Sequence, residues 1–501
     1  MQQNKAIIIG AGIAGIASAI RLAAQGFEVQ VFEKNNYAGG KLSAFKNGEY
    51  QFDAGPSLFT QPENICELFA LCGENMDTYF QYNKLDETCK YFYENDIIIN
   101  AFADKDAFAN ELHTKVGIER DLVKSYLIEA ENMYENIGTI FLNNSIQKLS
   151  FFKKNFFGAL KALRAKYLFQ SLHSFNQKKF RTEKTVQLFD RFATYNGSNP
   201  YTAPAMLSLI SHVEFNQGSF YPKGGMISIT KALYNLALKK GVRFSFNSAV
   251  EKIIVSDSKV SGIVVNNENI YSDIVVSNMD VYFTYKNLLN NLRKATSLLK
   301  QERSSSAIVF YWGIKKCFSQ LQLHNIFFSK DYESEFTHIF KLKQLYNDPT
   351  IYINITSKCE PGIHAPLGKE NWFVMINVPA NYGQDWKLFV ANARRFVIEK
   401  INLILKTDIE SYIETEDVLD PEAIEEKTLS FMGSIYGISS NSRAAAFLRH
   451  PNFSKDIKGL YFVGGSVHPG GGIPLCLKSA KIMSAIVVDD MKQKKLIIEA
   501  E

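Results

Sequence analysis

Gly10, Gly12 and Gly15 stand in the pattern GxGxxG, and Glu33 closes the next strand-like run about 20 residues on. That set can bind a dinucleotide. Gly10 permits a tight turn, and Gly12 lets a pyrophosphate approach the backbone at a helix N-terminus, where unpaired N–H groups and a partial positive charge point outward. Gly15 lets helix and strand pack closely, and Glu33 is placed to accept hydrogen bonds from a ribose. A second set lies near the far end of the chain, in "YFVGGSVHPGGGIPLCLKSAKI", Tyr461 to Ile482. Its glycines expose backbone, and Pro474 sits where a first-turn proline is tolerated. Within it His468 is a candidate general base, since an imidazole titrates near neutrality; its other reading is a tether that orders the loop. No metal constellation is readable. The eight histidines include no HExxH and no i, i+4 pair, and the six cysteines form no CxxC. The cysteines read as reduced thiols of a cytosolic protein. The chemistry is therefore assigned to an organic cofactor, which the chain binds and orients.

Positioning these groups needs a βαβ unit at the start. "KAIIIG" reads as a strand covered on both faces, because it does not alternate. "IAGIASAIRLAAQG" reads as an Ala-rich helix ended by Gly26, with Ala14 in its first turn, and "FEVQVFE" as the second strand. Residues 88 to 103 read as paired strands, and about 105 to 200 as mostly helical. "VRFSFNSAVEKIIVSDSKVSGIVVNNENIYSDIVVSN" reads as short strands joined by Asp-Ser and Asn-Asn turns. Further strands are expected at "SAIVFYWGI", "TIYINIT" and "NWFVMINV", and helices at "WKLFVANARRFVIEKINLIL" and "PLCLKSAKIMSAIVVDDM". A chain of 501 residues exceeds one compact core, so two or three domains are expected. With no low-complexity linker visible, they are expected to interleave.

The segments after the fingerprint carry a resemblance. "EKNNYAGGKLSAF" places Lys34, Gly39, Gly40 and Lys41 just past Glu33, and "FDAGPS" follows with Gly55, Pro56 and Ser57. Together with "GSFYPKGGMISITKALYNLALKKGVRFSFNSAVEKI", "YSDIVVSNMD" and "LYFVGGSVHPGGGIP", they resemble bacterial-type carotenoid desaturases, a family that includes phytoene desaturases and hydroxycarotenoid 3,4-desaturases. The resemblance covers about half the chain. It implies FAD as cofactor, with Lys34, Gly40, Lys41, Gly55, Pro56 and Ser57 along it. The strand holding Val250 would pass the adenine, and Gly464, Gly465, Gly472, Ile473 and Pro474 would cover the flavin. Lys41 stands where Arg is commoner, so it supplies charge without a bidentate fork. The implied fold is α/β (α+β overall), with a doubly wound, glutathione-reductase-like FAD domain of residues 1–75, 222–285 and 450–495. A mixed-sheet substrate domain would take 76–104, 200–221 and 286–449, and a helical membrane-facing subdomain 105–199. The implied reaction is desaturation of a membrane-dissolved C40 carotenoid by hydride transfer to flavin N5. The bulky residue after Pro474 leans toward the hydroxycarotenoid 3,4-desaturases. Phytoene desaturase, carotenoid isomerase and a flavin amine-oxidase-like enzyme are the alternatives. Quinone and oxygen are both open as electron acceptor.

From Asn136 to Thr182 there is no acidic residue, while nine bases fall between Lys148 and Arg181. Phe152, Phe156, Leu160, Leu163 and Tyr167 share one stripe at helical spacing. A basic amphipathic segment over 148–181 is what an interfacial helix needs, and a helix packed on the protein's own core is the other reading. The expected location is cytoplasmic and peripheral to a membrane. The first apolar run is explained by the nucleotide fold rather than by a leader, and no window is long enough to span a bilayer. The net charge of +5 is mild, and no base-reading module accompanies the basic window, so nucleic acid is not an expected partner.

Overall fold

The computed structural model describes residues 3–145, 147–148, 165–442 and 449–498. The core of the stripe at 149–164 lies outside them. The described chain forms two large sheets with helices between and around them.

The first sheet is parallel and five-stranded, in the order Leu460–Phe462, Ile274–Ser277, Lys5–Ile9, Glu28–Phe32, Arg243–Ser245. Chain start, middle and end thus lie side by side. The first strand shows why it does not alternate in sequence. Ala6 and Ile8 pack on the helices Ile13–Ala24, Ile227–Lys239 and Ile473–Ile498. Ile7 and Ile9 pack on the opposite side, against Ile253, Ile263 and Val265 of a three-stranded antiparallel meander. Successive side chains point to opposite faces and both faces are covered. The meander is turned by Asp257-Ser258 and Asn266-Asn267, all four residues at φ between 50° and 61°. Two-residue hairpins of this hand need positive φ at both positions, which Asn and Asp tolerate best.

The second sheet has seven strands, in the order Ile413–Leu419, Ser306–Ile314, Glu370–Val378, Ile351–Asn354, His324–Phe327, Glu87–Phe92, Ile98–Phe102. All neighbours are antiparallel except His324–Phe327 beside Glu87–Phe92. One face carries Ile308, Phe310, Trp312, Trp372 and Val374 against the helix Trp386–Leu405. The other carries Ala307, Val309, Tyr311 and Phe373 toward Tyr50 and Phe52. The helices Lys105–Val116, Arg120–Met133, Leu172–Phe180 and Glu183–Asp190 close a third core with Tyr126, Phe175, Phe189 and Phe215. Tyr167, from the sequence stripe, is buried in that core, and its hydroxyl donates to Glu129 at 2.7 Å. No helix of the described residues is long and apolar enough to cross a membrane.

Candidate functional site

A cavity of about 1160 Å³ opens between the two sheets. That exceeds a pocket for one drug-sized ligand, which runs to about 1000 Å³. At one end it is bounded by Gly10, Gly12, Ala14, Glu33, Lys34, Gly40 and Lys41. Gly55, Pro56, Ser57 and Val250 join them, with Gly464, Gly465, Gly472, Ile473 and Pro474 from the far end of the chain. Two residues expected at the site lie elsewhere. Gly15 sits behind the cavity, where an added Cβ would come 2.1 Å from the carbonyl oxygen of Gly10. Its role there is helix–strand packing.

His468 is the second. It is buried, and its Nε2 pairs with the carbonyl of Asn144 at 2.8 Å. Burial pulls its imidazole down to about 4. A ring turned away from the cavity and neutral at ordinary pH matches the tether reading of this residue rather than the catalytic one. Gly470 likewise turns toward the Arg449 guanidinium rather than the cavity.

The cradle is built from backbone. Gly10 turns the chain at φ +93° and donates its N–H to the carbonyl of Phe32 at 2.7 Å. Gly12 stands at the N-cap of Ile13–Ala24 with no side-chain cap. Gly472, at φ +101°, precedes the helix Ile473–Ile498, and its carbonyl accepts the Cys476 N–H at 2.9 Å. Neither first turn holds an acidic residue, so both helix N-termini offer amides to an anion. The Glu33 carboxylate accepts from Ala11 N–H at 2.7 Å and Asn35 N–H at 2.9 Å. Those bonds fix it at the strand end with acceptor capacity to spare. Two helix N-termini and an oriented acid fit a dinucleotide's pyrophosphate and ribose.

Lys41 is half-buried, with its Nζ 3.2 Å from the carbonyl oxygen of Ile435. Burial lowers it to about 8, which leaves it mostly charged at neutral pH. Gly55 locks against it, since a Cβ there would lie 2.1 Å from the Lys41 carbonyl oxygen. In the same "FDAGPS" segment, the Asp53 carboxylate accepts the Met226 and Ile227 N–H groups at 2.9 and 3.2 Å, opening the helix Ile227–Lys239.

Beyond Ser57 the cavity continues over the second sheet. Ala307, Val309, Phe373 and Met375 give it an apolar floor. Arg191, Tyr195, His324 and Tyr352 give one polar stretch of wall. Sequence reading passed over these four, because strands and helices far apart in the chain bring them together. It also passed over Asn278, whose side chain fills the space beside Gly12 and Gly464. Asn278 did carry a signal, as the polar residue directly after a buried strand. No group of side chains suited to hold a metal ion occurs among the described residues.

Comparison with known proteins agrees with this geometry. Residues 13–488 match the family described as flavin containing amine oxidoreductase. The chain is 48% identical to a 1-hydroxycarotenoid 3,4-desaturase of Flavobacterium sp., over 97% of this chain and 99% of that protein. It is 32% identical to a 4,4'-diapolycopene oxygenase of Methylomonas sp., over 98% and 99%. An oxidoreductase from Methanosarcina mazei shares the fold at a TM-score of 0.63 and 15% identity, over 96% of this chain and 99% of that one. The chain therefore belongs to the flavin-containing amine oxidoreductase family, in its carotenoid desaturase branch, and is an FAD-dependent oxidoreductase.

Proposed function

We propose that the protein is a carotenoid desaturase that removes two hydrogens from adjacent carbons of a C40 chain, acting as a 3,4-desaturase on a carotenoid hydroxylated at carbon 1. The observation that carries this reading is the continuity of one cavity from the glycine cradle to the apolar floor of Ala307, Val309, Phe373 and Met375. A polyene gains along its whole length from such a floor, each buried CH₂ contributing about 0.8 kcal/mol. The 48% identity to a 1-hydroxycarotenoid 3,4-desaturase supports the choice of bond.

FAD, when bound, supplies the two-electron acceptance. The chain's own residues do the rest by position. In this reading the cradle residues named above hold the pyrophosphate, the ribose and the ring. The sheet floor lays the polyene against them and keeps water out. Residues 1–75, 222–285 and 450–495 form the FAD domain, and 76–104, 200–221 and 286–449 the substrate domain. Residues 105–199 face a membrane surface, from which an insoluble substrate is drawn, with 148–181 as the contact. The protein is then peripheral and cytoplasmic, and quinone or oxygen reoxidises it.

The test is to supply FAD-loaded protein in liposomes with phytoene, lycopene, γ-carotene and 1'-hydroxylated carotenoids, and to read product masses and spectra. The expected product is a hydroxylated carotenoid lighter by two hydrogens, with one more conjugated double bond. Unchanged mass would make the enzyme an isomerase, and an added oxygen would make it an oxygenase.

A further inference from the structure

His324 opens the strand His324–Phe327 and is buried at 3% exposure in the cavity wall. The sheet register sets Asn354 directly opposite it and Tyr352 opposite Ile326, so the diagonal places Tyr352 beside the imidazole on one face. Asn354 Nδ2 donates to the Leu323 carbonyl and to His324 Nδ1, both at 3.2 Å. An amide nitrogen only donates, so Nδ1 is the acceptor and the ring proton sits on Nε2. Tyr352 Oη, 2.7 Å from Nδ1, donates to it as well, and Ser57 Oγ donates to Tyr352 at 2.9 Å. The tautomer is thus set by two neighbours and by a chain that begins in "FDAGPS".

The Nε2–H that results is buried and has no partner. A buried donor without an acceptor is costly, and each such case asks for an explanation. Arg191, also in the cavity wall, has an Nε–H in the same condition. Its other nitrogens are held by Glu214, Tyr91 and Tyr195. Burial, and then the charge of Arg191, hold His324 near 3, so its ring stays neutral. Both residues line the cavity, so each brings an unpartnered N–H to a wall shared with Ala307, Val309, Ile326, Phe373 and Met375. They suit a ligand atom that accepts hydrogen bonds, which a hydrocarbon end lacks and an alcohol oxygen supplies.

We infer that His324, oriented by Tyr352 and Ser57, donates from Nε2 to the hydroxyl oxygen at the substrate's end and so selects hydroxylated over hydrocarbon ends. This rests on the substrate class proposed above. The distances suit it. In a 3,4-desaturation of a 1-hydroxylated chain, the hydroxyl-bearing carbon is two bonds from the nearer reacting carbon. The hydroxyl site must then lie close to the cofactor wall, and His324 is two hydrogen bonds from Ser57 on that wall.

The experiment compares kcat/KM for a 1'-hydroxylated carotenoid and its deoxy analogue. It uses FAD-loaded wild type, His324→Leu and Tyr352→Phe, with flavin content and visible spectrum measured for each. Wild type is expected to favour the hydroxylated substrate about 10- to 100-fold, the effect of leaving a buried donor unpaired. His324→Leu should bring the ratio to about one by losing the hydroxylated substrate alone, and Tyr352→Phe should lower it part way. A general loss of fold would depress both substrates together and leave the ratio intact. An unchanged ratio in flavin-loaded His324→Leu overturns the inference. Should that variant lose flavin, an unchanged ratio in Tyr352→Phe overturns it. Wild type active on both substrates without preference also overturns it and leaves the desaturase reading standing, whereas wild type inert to every carotenoid sinks both.

Discussion

The two ends of the cavity are made of different material. The cradle is backbone: glycines, helix N-termini and one carboxylate held by amides. The substrate wall is side chains, set by the register of strands whose sequence positions span from Glu87 to Leu419. Backbone sites depend on glycine's conformation or close approach, while side-chain walls can be reshaped without losing the cofactor. The comparison therefore predicts that cradle variants lose flavin, and that wall variants keep flavin and lose turnover or selectivity.

Gly15→Val, in the packing behind the cradle, should show the largest effect, because it removes the support of the cradle itself. Even its Cβ would sit 2.1 Å from the Gly10 carbonyl, so the first strand and helix cannot pack. We expect no flavin-containing soluble protein, read as the 450 nm absorbance of the purified fraction. Ala307→Phe comes next and probes the wall. It thrusts a ring from the sheet into the cavity, and a misplaced polyene costs about 100-fold or more in kcat. Flavin content should stay near wild type; loss of flavin here would break the comparison.

Gly472→Ala should do less. Its Cβ meets nothing within 4 Å, but φ +101° is strained for any L side chain. The loop relaxes out of that conformation without FAD, so restoring it at about 1–2 kcal/mol corresponds to roughly tenfold weaker FAD binding, measurable by fluorescence titration of the apoprotein, with little change in carotenoid KM.

A milder perturbation acts on both ends at once. Burial holds His324 near 3 and His450 and His468 near 4, below the usual 6.5. Below pH 6.5 the unfolded chain binds more protons than the folded one. Stability is then full above about 6.5, falls as pH drops toward 4, and levels off once the folded sites also titrate. The thermal midpoint should decline across that window, and a flat midpoint from pH 7 to 4.5 would contradict the buried, neutral state of these rings.

The same contrast governs what could be read from sequence. The fingerprint at Gly10–Gly15 and the run Gly464–Pro474 were legible, because each is a local string whose chemistry depends on its own backbone. Their union in one cradle was readable only through the family resemblance. Strands such as Ser306–Ile314 and the helix Trp386–Leu405 were legible from apolar patterning. His324, Tyr352 and Arg191 were not, because nothing local marks them: they meet through strand register and a helix more than a hundred residues away. His468 stayed open between catalyst and tether for the same reason. Its loop advertised chemistry, while its partner, the Asn144 carbonyl, lies 324 residues earlier.

The most direct test of the shared cavity is an anaerobic single turnover. FAD-loaded protein is mixed with one equivalent of 1'-hydroxylated carotenoid while flavin absorbance and product mass are followed. The account predicts one flavin bleached for each product molecule lighter by two hydrogens. Bleaching by amines but not by the carotenoid, or a new carotenoid spectrum with flavin still oxidised and mass unchanged, would contradict it.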